Sequence, residues 1–337
     1  MVLALVAVGS VDSEACTRIV YNGDSSLCIV GRSLDWKTPI PTNLYVYPRG
    51  ARFVSASRPG AFSWTSKYGC GYAVGYDAGI TEGMNEKGLQ VASLFCKTAQ
   101  YSDSTNNDRR PVSLSVFVAW LLDNNATTAE VLKQVEGQDF TLYGATFDGG
   151  TESKLHFGVT DASGESAIIE FSKGRMCVYR PDSIHVMTND PEWPAMSAIV
   201  SYWRGVGGTN MLPGTVRSAD RCVRGDFFIR NVARVADADL GASILRSVMF
   251  NVSVPYLYTV TGEPNVSSTQ WRSMCNLRDL RYYFDSATAR GLYYIDLGKC
   301  DLRPGAPVLK LTTIDCTDVC GEANRLLRKV APFVPMH

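Results

Sequence analysis

The hydrophobic pattern at the start of the chain reads as strand. "TRIVY" (17–21) and "SLCIVGRSLDW" (26–36) are β-rich runs on either side of "NGDS" (22–25), whose Asn-Gly pair is the signature of a tight hairpin. Closing that loop with Tyr21 opposite Ser26 puts Cys16 across from Gly31 or Arg32, with Asp35 just past the end of the ladder. Helical spacing then takes over in "VSLSVFVAWLLDN" (112–124) and "TAEVLKQVEG" (128–137), the latter with Thr128 as its expected N-cap. Strand patterning returns in "TLYGATF" (141–147), "KLHFGVTD" (154–161), "SAIIEFSKG" (166–174), "RMCVYR" (175–180) and "SIHVMTN" (183–189). Three helical runs follow, "PAMSAIVSYWRGV" (194–206), "SADRCVRGDFFIRNVARV" (218–235) and "DLGASILRSVMF" (239–250). Two late strands, "LRYYFDS" (280–286) and "GLYYIDL" (291–297), close the pattern. Strand runs sit between helix runs instead of alternating with them one by one. That order fits antiparallel sheets covered by helices better than a doubly wound parallel sheet.

Before the first strand lies a different kind of segment. Leu3 to Val8 reads "LALVAV", and Ser13 and Ala15 are small residues three and one positions before Cys16. This is the layout of a secretory leader cut immediately before the cysteine, so residues 1–15 are expected to be removed and 16–337 to form one domain in a secreted or periplasmic protein. A lipoprotein cysteine is the competing reading, but Ser13 stands where that signal has an aliphatic residue. No apolar run approaches the roughly 20 residues of a membrane span.

Composition narrows the partners. The 337 residues are 45% hydrophobic and 20% charged, with 33 basic and 33 acidic side chains and no run of one sign. That balance argues against nucleic acid or an anionic membrane surface as the main partner. Ten cysteines suit an oxidising compartment, yet no pair has CxxC spacing and the chain holds three histidines, so a thiolate zinc site is not expected. Cys300, Cys316 and Cys320 leave room for one disulfide; Cys28, Cys70, Cys177, Cys222 and Cys275 read as small buried hydrophobes. The stretch "GVGGTN" lacks the Lys of a phosphate loop, and the sequons at Asn125, Asn251 and Asn265 matter only in a eukaryotic secretory host.

Cleavage before Cys16 would give that residue a thiol and a free amine at once. A reference thiol titrates near 8.5 and an α-amine near 7.7–8.0, so the amine can serve as general base for its own side chain near neutral pH. The hairpin brings a guanidinium, Arg32, and a carboxylate, Asp35, to the same neighbourhood: the first favours the thiolate, the second holds the ammonium. The bland alternative is an ordinary cysteine at a strand start.

"CTRIVY…GRSLDW" resembles the N-terminal nucleophile hydrolases of the choloylglycine hydrolase family, which contains penicillin V acylases and conjugated bile salt hydrolases. The likeness continues through "GYDAGITEGMNEKGLQVASL", "HVMTNDP", "MLPGTVRSADRCVR", "NVSVP" and "EPNVSSTQWR", roughly residues 16 to 310. The resemblance implies a four-layer αββα fold of two antiparallel sheets covered by helices, with Cys16 beginning a central strand. It implies Cys16 as nucleophile, Arg32 and Asp35 as the charged pair that positions thiol and amine, and Asn189 as the side chain donating to the oxyanion. Removing such a donor typically costs about 2.7–4 kcal/mol of barrier. Arg221 corresponds to the second active-site arginine, with Arg224 three residues on as the alternative. Trp36 resembles a substrate-pocket aromatic, equally readable as a core tryptophan. Phe95 stands where bile salt hydrolases carry Asn and one group of penicillin V acylases carries Tyr; its side chain cannot donate, so only its backbone N–H is left for the oxyanion.

These features place the chain nearer the Gram-negative branch of acylases, whose members resemble penicillin V acylases and often act on N-acyl homoserine lactones. The expected partner is a small-molecule amide with an apolar acyl group, held partly by Trp36 and Phe95. No metal or organic cofactor is implied, and a homotetramer is implied by the family alone. Conjugated bile salt hydrolysis is the alternative activity. A binding protein that kept the fold and lost the chemistry is the alternative of another class, favoured if the leader stays attached and blocks the amine.

Overall fold

The computed structural model describes residues 15–102, 109–144, 146–147, 151–260 and 267–337. Residues 1–14 of the leader and the sequon at Asn265 lie outside the described residues.

The first two strands form the expected hairpin, β1 (Ala15–Asn22) and β2 (Cys28–Trp36), in a different register. The turn does not fall at Asn22-Gly23. It falls at Ser25-Ser26, both with positive φ (52° and 61°), the left-handed pair that a type I′ turn requires. The leading strand is therefore longer than expected: Tyr21 pairs with Ile29, Cys16 with Leu34, and Ala15 with Asp35. Asp35 lies within the ladder, not beyond it.

The hairpin sits in a seven-stranded sheet. From one edge its order is β10 (Val186–Met187), β1, β2, β11 (Ser268–Asn276), β12 (Arg281–Ser286), β13 (Tyr293–Asp296) and β15 (Gly321–Glu322), antiparallel apart from the last pair. A nine-stranded sheet lies against it, in the order β9 (Arg175–Tyr179), β8 (Ser166–Ser172), β7 (Leu155–Thr160), β6 (Gln90–Phe95), β5 (Gly79–Asn85), β4 (Cys70–Gly75), β3 (Thr42–Tyr47), β14 (Val308–Leu311) and β16 (Arg328–Val330). "TLYGATF" and "SIHVMTN" contribute only short strands, Phe140–Tyr143 and Val186–Met187 among them.

Among the described residues, five α-helices cover the outer faces. α1 (Leu114–Asn124) and α2 (Thr128–Val135) pack on the nine-stranded sheet in one core with Tyr72, Val91 and Phe157. α3 (Trp193–Val206), α4 (Ser218–Asn231) and α5 (Ala238–Asn251) pack on the seven-stranded sheet in a second core with Ile19, Tyr21 and Ile29. Between the sheets, Val20, Val30, Leu34 and Trp36 meet Leu44, Val46 and Met84. The result is the four-layer αββα sandwich. Because both faces of β2 are covered, all nine of its residues are buried. Close approach of α5 depends on Gly31: a Cβ there would lie 3.1 Å from both Leu245 and Met249.

Two local expectations change. The N-cap of α2 is Thr127, whose hydroxyl accepts from Glu130 N; the neighbouring Thr128 instead donates its backbone N–H to Asp161 and its hydroxyl to the Glu165 carbonyl. All ten cysteines are free thiols, so the tail disulfide does not form; Cys300 and Cys316 donate instead to the carbonyls of Asp296 and Thr312. Cys28, Cys70, Cys222 and Cys275 are buried as small hydrophobes, whereas Cys177, on the edge strand β9, is half-exposed.

Candidate active site

Alternation along the hairpin decides which side chain reaches which space. Cys16, Arg32, Leu34 and Trp36 point between the sheets, where Cys16 packs against Ala92, Leu94, Ile168 and Met187. Thr17, Ser33 and Asp35 point the other way, toward α4. Residues 32 and 35 are three apart along one strand, so the pleat puts them on opposite faces. Arg32 accordingly donates Nη2 to the Ser93 carbonyl at 2.9 Å, holds Nε 3.8 Å from Glu82 Oε2, and stacks 4.9 Å over the Trp271 ring. The guanidinium that meets Asp35 is that of Arg221, 3.8 Å from Asp35 Oδ2, which also accepts from Ser33 Oγ at 3.1 Å.

Arg221 is wholly buried on α4 and uses each of its nitrogens. Nη1 donates to the Cys16 carbonyl at 2.8 Å and to Thr17 Oγ1, Nη2 to Asn189 Oδ1 at 2.9 Å, and Nε to the Val216 carbonyl at 2.9 Å. Arg224, one helical turn on, faces elsewhere, donating to the carbonyls of Pro213 and Thr215 at 2.7 Å each. Asn189 follows β10 and crosses to the other strands of the site. Its Oδ1 accepts from Cys16 N as well as from Arg221, and its Nδ2 donates to the Phe95 carbonyl at 2.7 Å. Three surrounding donors and acceptors thus fix which end of the amide is which.

Phe95 ends β6. The next residue pairs through Cys96 N to the Lys154 carbonyl at 2.8 Å, so strand alternation turns the N–H and C=O of Phe95 to the opposite edge, the side on which Asn189 stands. Cys16 itself is 4% exposed, with Sγ 4.0 Å from the Asp35 carbonyl. Burial pushes its thiol pKa up, Arg32 pulls it down and Asp35 pushes it up again; the balance is upward. Burial likewise raises Asp35, opposed by Arg221, and lowers Arg221.

A cleft open to solvent, about 860 Å³ when its open mouth is counted in, reaches the thiol. Its walls are mostly apolar, with Leu34, Trp36, Ile40, Ile80 and Phe95 prominent, and the Trp36 and Phe95 rings lie 5.5 Å apart. Among the described residues no group of three or more His, Cys, Asp or Glu could hold a metal ion, and no helix is long and apolar enough to cross a membrane.

All seven candidates from the sequence, Cys16, Arg32, Asp35, Trp36, Phe95, Asn189 and Arg221, lie around this one place. Sequence reasoning missed Thr17, Ser93 and Glu82. Glu82 left a signal: it is a lone charge in the strand "GITEGMN", and it is fully buried, accepting from the Tyr282 hydroxyl beside Arg32. Ser93 and Thr17 left none, because their contribution is a backbone carbonyl and a hydroxyl that only the fold aims.

An interior thiol near the start of β1, one strand in from the edge of its sheet and not on a central strand as expected, in a sandwich of two sheets between helices, is the arrangement of an N-terminal nucleophile hydrolase. The chain matches the family described as linear amide C–N hydrolases, choloylglycine hydrolase family, over residues 16–322, and it belongs to that family. It is 34% identical to a penicillin V acylase of Pectobacterium atrosepticum, over 98% of this chain and 95% of that protein. It is 24% identical to a bile salt hydrolase/transferase of Clostridium perfringens, over 85% of this chain and 94% of that protein. The solved structure of a penicillin V acylase from Agrobacterium tumefaciens superposes with a TM-score of 0.88 at 36% identity, covering 95% of this chain and 99% of that one. The protein is a hydrolase of linear amides.

Proposed function

We propose that this chain is a secreted or periplasmic acylase of the penicillin V acylase type, active after residues 1–15 are removed and Cys16 becomes the first residue. The observation that carries the reading is the convergence on Cys16: its nitrogen faces Asn189 Oδ1, its carbonyl is held by Arg221, and its thiol faces an apolar cleft. The family match begins at the same residue, which supports a mature chain of 16–337.

In the reaction the free amine of Cys16 takes the Sγ proton, and the thiolate attacks the substrate carbonyl carbon. The oxyanion that forms is taken to be met by the remaining Nδ2 hydrogen of Asn189 and by the backbone N–H of Phe95, on the edge of β6 where Asn189 stands. Asn189 Oδ1 and the Arg221–Asp35 pair orient the amine. The ammonium then protonates the leaving nitrogen as the C–N bond breaks, leaving an S-acyl thioester. Water, deprotonated by the same amine, hydrolyses the thioester and restores the thiol. Arg32, on the thiol's own face, favours the thiolate against the cost of burial.

The largely apolar cleft favours an amide with an apolar acyl group, as in phenoxyacetyl amides of the penicillin V kind or N-acyl homoserine lactones. Taurine and glycine conjugates of bile acids are the second reading, motivated by the Clostridium perfringens relative. The mature enzyme is taken to be a homotetramer, which sedimentation of the purified protein checks. Intact-mass spectrometry of protein made with its leader, beside Cys16→Ala, tests the nucleophile. A wild-type mass starting at Cys16, with phenoxyacetyl amides cleaved faster than taurine conjugates, is the expected result. If wild type keeps residues 1–15 after passing through a secretory route, the reading falls and the binding-protein alternative takes its place. Retention by the alanine variant alone marks self-cleavage; loss from both marks a signal peptidase.

A further inference from the structure

The lining of the cleft extends beyond the residues around Cys16. From the thiol between the sheets it passes the end of the nine-stranded sheet at Gly79 and reaches the first turn of α1 at Leu114 and Ser115, in the outer layer. At that far end one lining residue comes from a distant part of the sequence: Met336.

The segment that carries it is fastened along its course. After β16, Phe333 is inserted into the core of the nine-stranded sheet, with ring centroids 5.5 Å from Tyr45 and 5.9 Å from Tyr47, and its N–H donates to the Tyr47 hydroxyl at 3.0 Å. Three residues on, Met336 N donates to the Ala78 carbonyl at 2.9 Å, beside the start of β5, and the Met336 carbonyl accepts from Ser113 Oγ at 3.2 Å, the N-cap of α1. Both fastenings are to residues that adjoin the cleft lining, Gly79 and Leu114. Two apolar side chains of the segment are used differently. Phe333 is 9% exposed and belongs to the core, whereas Met336 is 40% exposed, belongs to no core cluster and faces the cleft. A backbone pinned at N–H and C=O with an unbranched, adaptable thioether left at a cavity wall is the construction of a contact for a ligand, since packing alone is already supplied by Phe333.

We infer that Met336 is a specificity-determining residue: it closes the α1 end of the cleft and sets how long an unbranched acyl chain the site accepts. This rests on the reading of the cleft as an acyl-binding site. Met336 lies beyond residues 16–322, the part of the chain that the family description matches. Shortening the side chain lengthens the space along the acyl axis; enlarging it fills that space, and each methylene gained or lost in such a pocket changes discrimination by about tenfold or more.

The test uses full-length processed protein and its Met336→Ala and Met336→Trp variants. Dissociation constants for hexanoate, octanoate and dodecanoate are measured by calorimetry, and kcat/KM for the matching N-acyl amides in parallel. Met336→Trp is expected to weaken dodecanoate relative to hexanoate by at least about tenfold, and Met336→Ala to shift the preference toward dodecanoate. Length ratios that are the same in all three proteins overturn the inference, as does failure of wild type to bind any of the carboxylates. If the binding ratios shift as expected but wild type hydrolyses none of the amides, the inference stands and the proposed acylase activity falls.

Discussion

Two buried clusters in this fold each hold a thiol and a carboxylate, and they are finished differently. Under α1, Asp123 is fully buried; its Oδ2 accepts from Trp64 Nε1 at 2.6 Å, while Oδ1 accepts from the Tyr72 hydroxyl and from Cys70 Sγ at 3.5 Å. Every oxygen has a donor, and burial raises its pKa to about 7. At Cys16 the polar groups are equally buried, yet among the described residues Asp35 Oδ1 and Arg32 Nε and Nη1 have no hydrogen-bond partner. Burying an unsatisfied polar group costs roughly 1–3 kcal/mol, more for a charged one. A structural cluster closes its hydrogen bonds within the chain; the cluster beneath the cleft leaves some open, which is consistent with the proposed entry of a substrate, a free amine and water there.

Substitutions can break this contrast, and the largest expected effect is at the proposed nucleophile. Cys16→Ala should lower kcat by roughly 10⁴-fold or more, as loss of a nucleophile does, while moving the melting temperature little; a large fall in stability with residual turnover would mean the residue is structural. Asn189→Ala should lower kcat by about 10²–10³-fold, the value of one oxyanion donor, in steady-state assays on a phenoxyacetyl amide. Asp123→Ala should do the reverse. It orphans three buried donors and should cost about 3 kcal/mol of stability in urea denaturation, with kcat/KM per folded molecule unchanged.

The smallest effect is a pH dependence at a third buried pair. His156 Nδ1 stands 3.1 Å from Glu170 Oε1, and Glu170 also accepts the Trp193 N–H at the start of α3. Burial alone would lower the imidazole pKa, but Cys96 and Glu170 together raise it to about 10 from an ordinary 6.5. The folded state therefore holds the proton more tightly than the unfolded chain. That stabilisation is complete below about pH 6.5 and is lost as pH rises through about 10. Thermal melts across this window should show wild type declining and His156→Gln flatter; parallel curves would show that the pair carries no linked proton.

Which parts were legible beforehand follows from how local each signal is. The order of strand and helix runs conveyed the layered class, and the string from Cys16 to Trp36 together with "TNDP" and "SADR" located the residues that now surround the cleft. The hairpin register was misread because Asn-Gly is a strong local turn signal, whereas the turn falls at Ser25-Ser26, both in the left-handed region, and shifts every pairing along the ladder.

By itself, then, the sequence determined what depends on near neighbours: element type, the small residues before Cys16, and the identities of the thiol, carboxylate, amide and guanidinia. Tertiary structure alone decided the pairings. Arg32 and Asp35, adjacent in any local reading, are separated by the pleat onto opposite faces, and Asp35 is met by Arg221 from a helix far along the chain. Nor could periodicity foresee that Met336 would stand at the far end of the same cleft as Cys16. Such contacts carry no local pattern, because they arise only when two sheets pack and the segments crossing their ends are brought together.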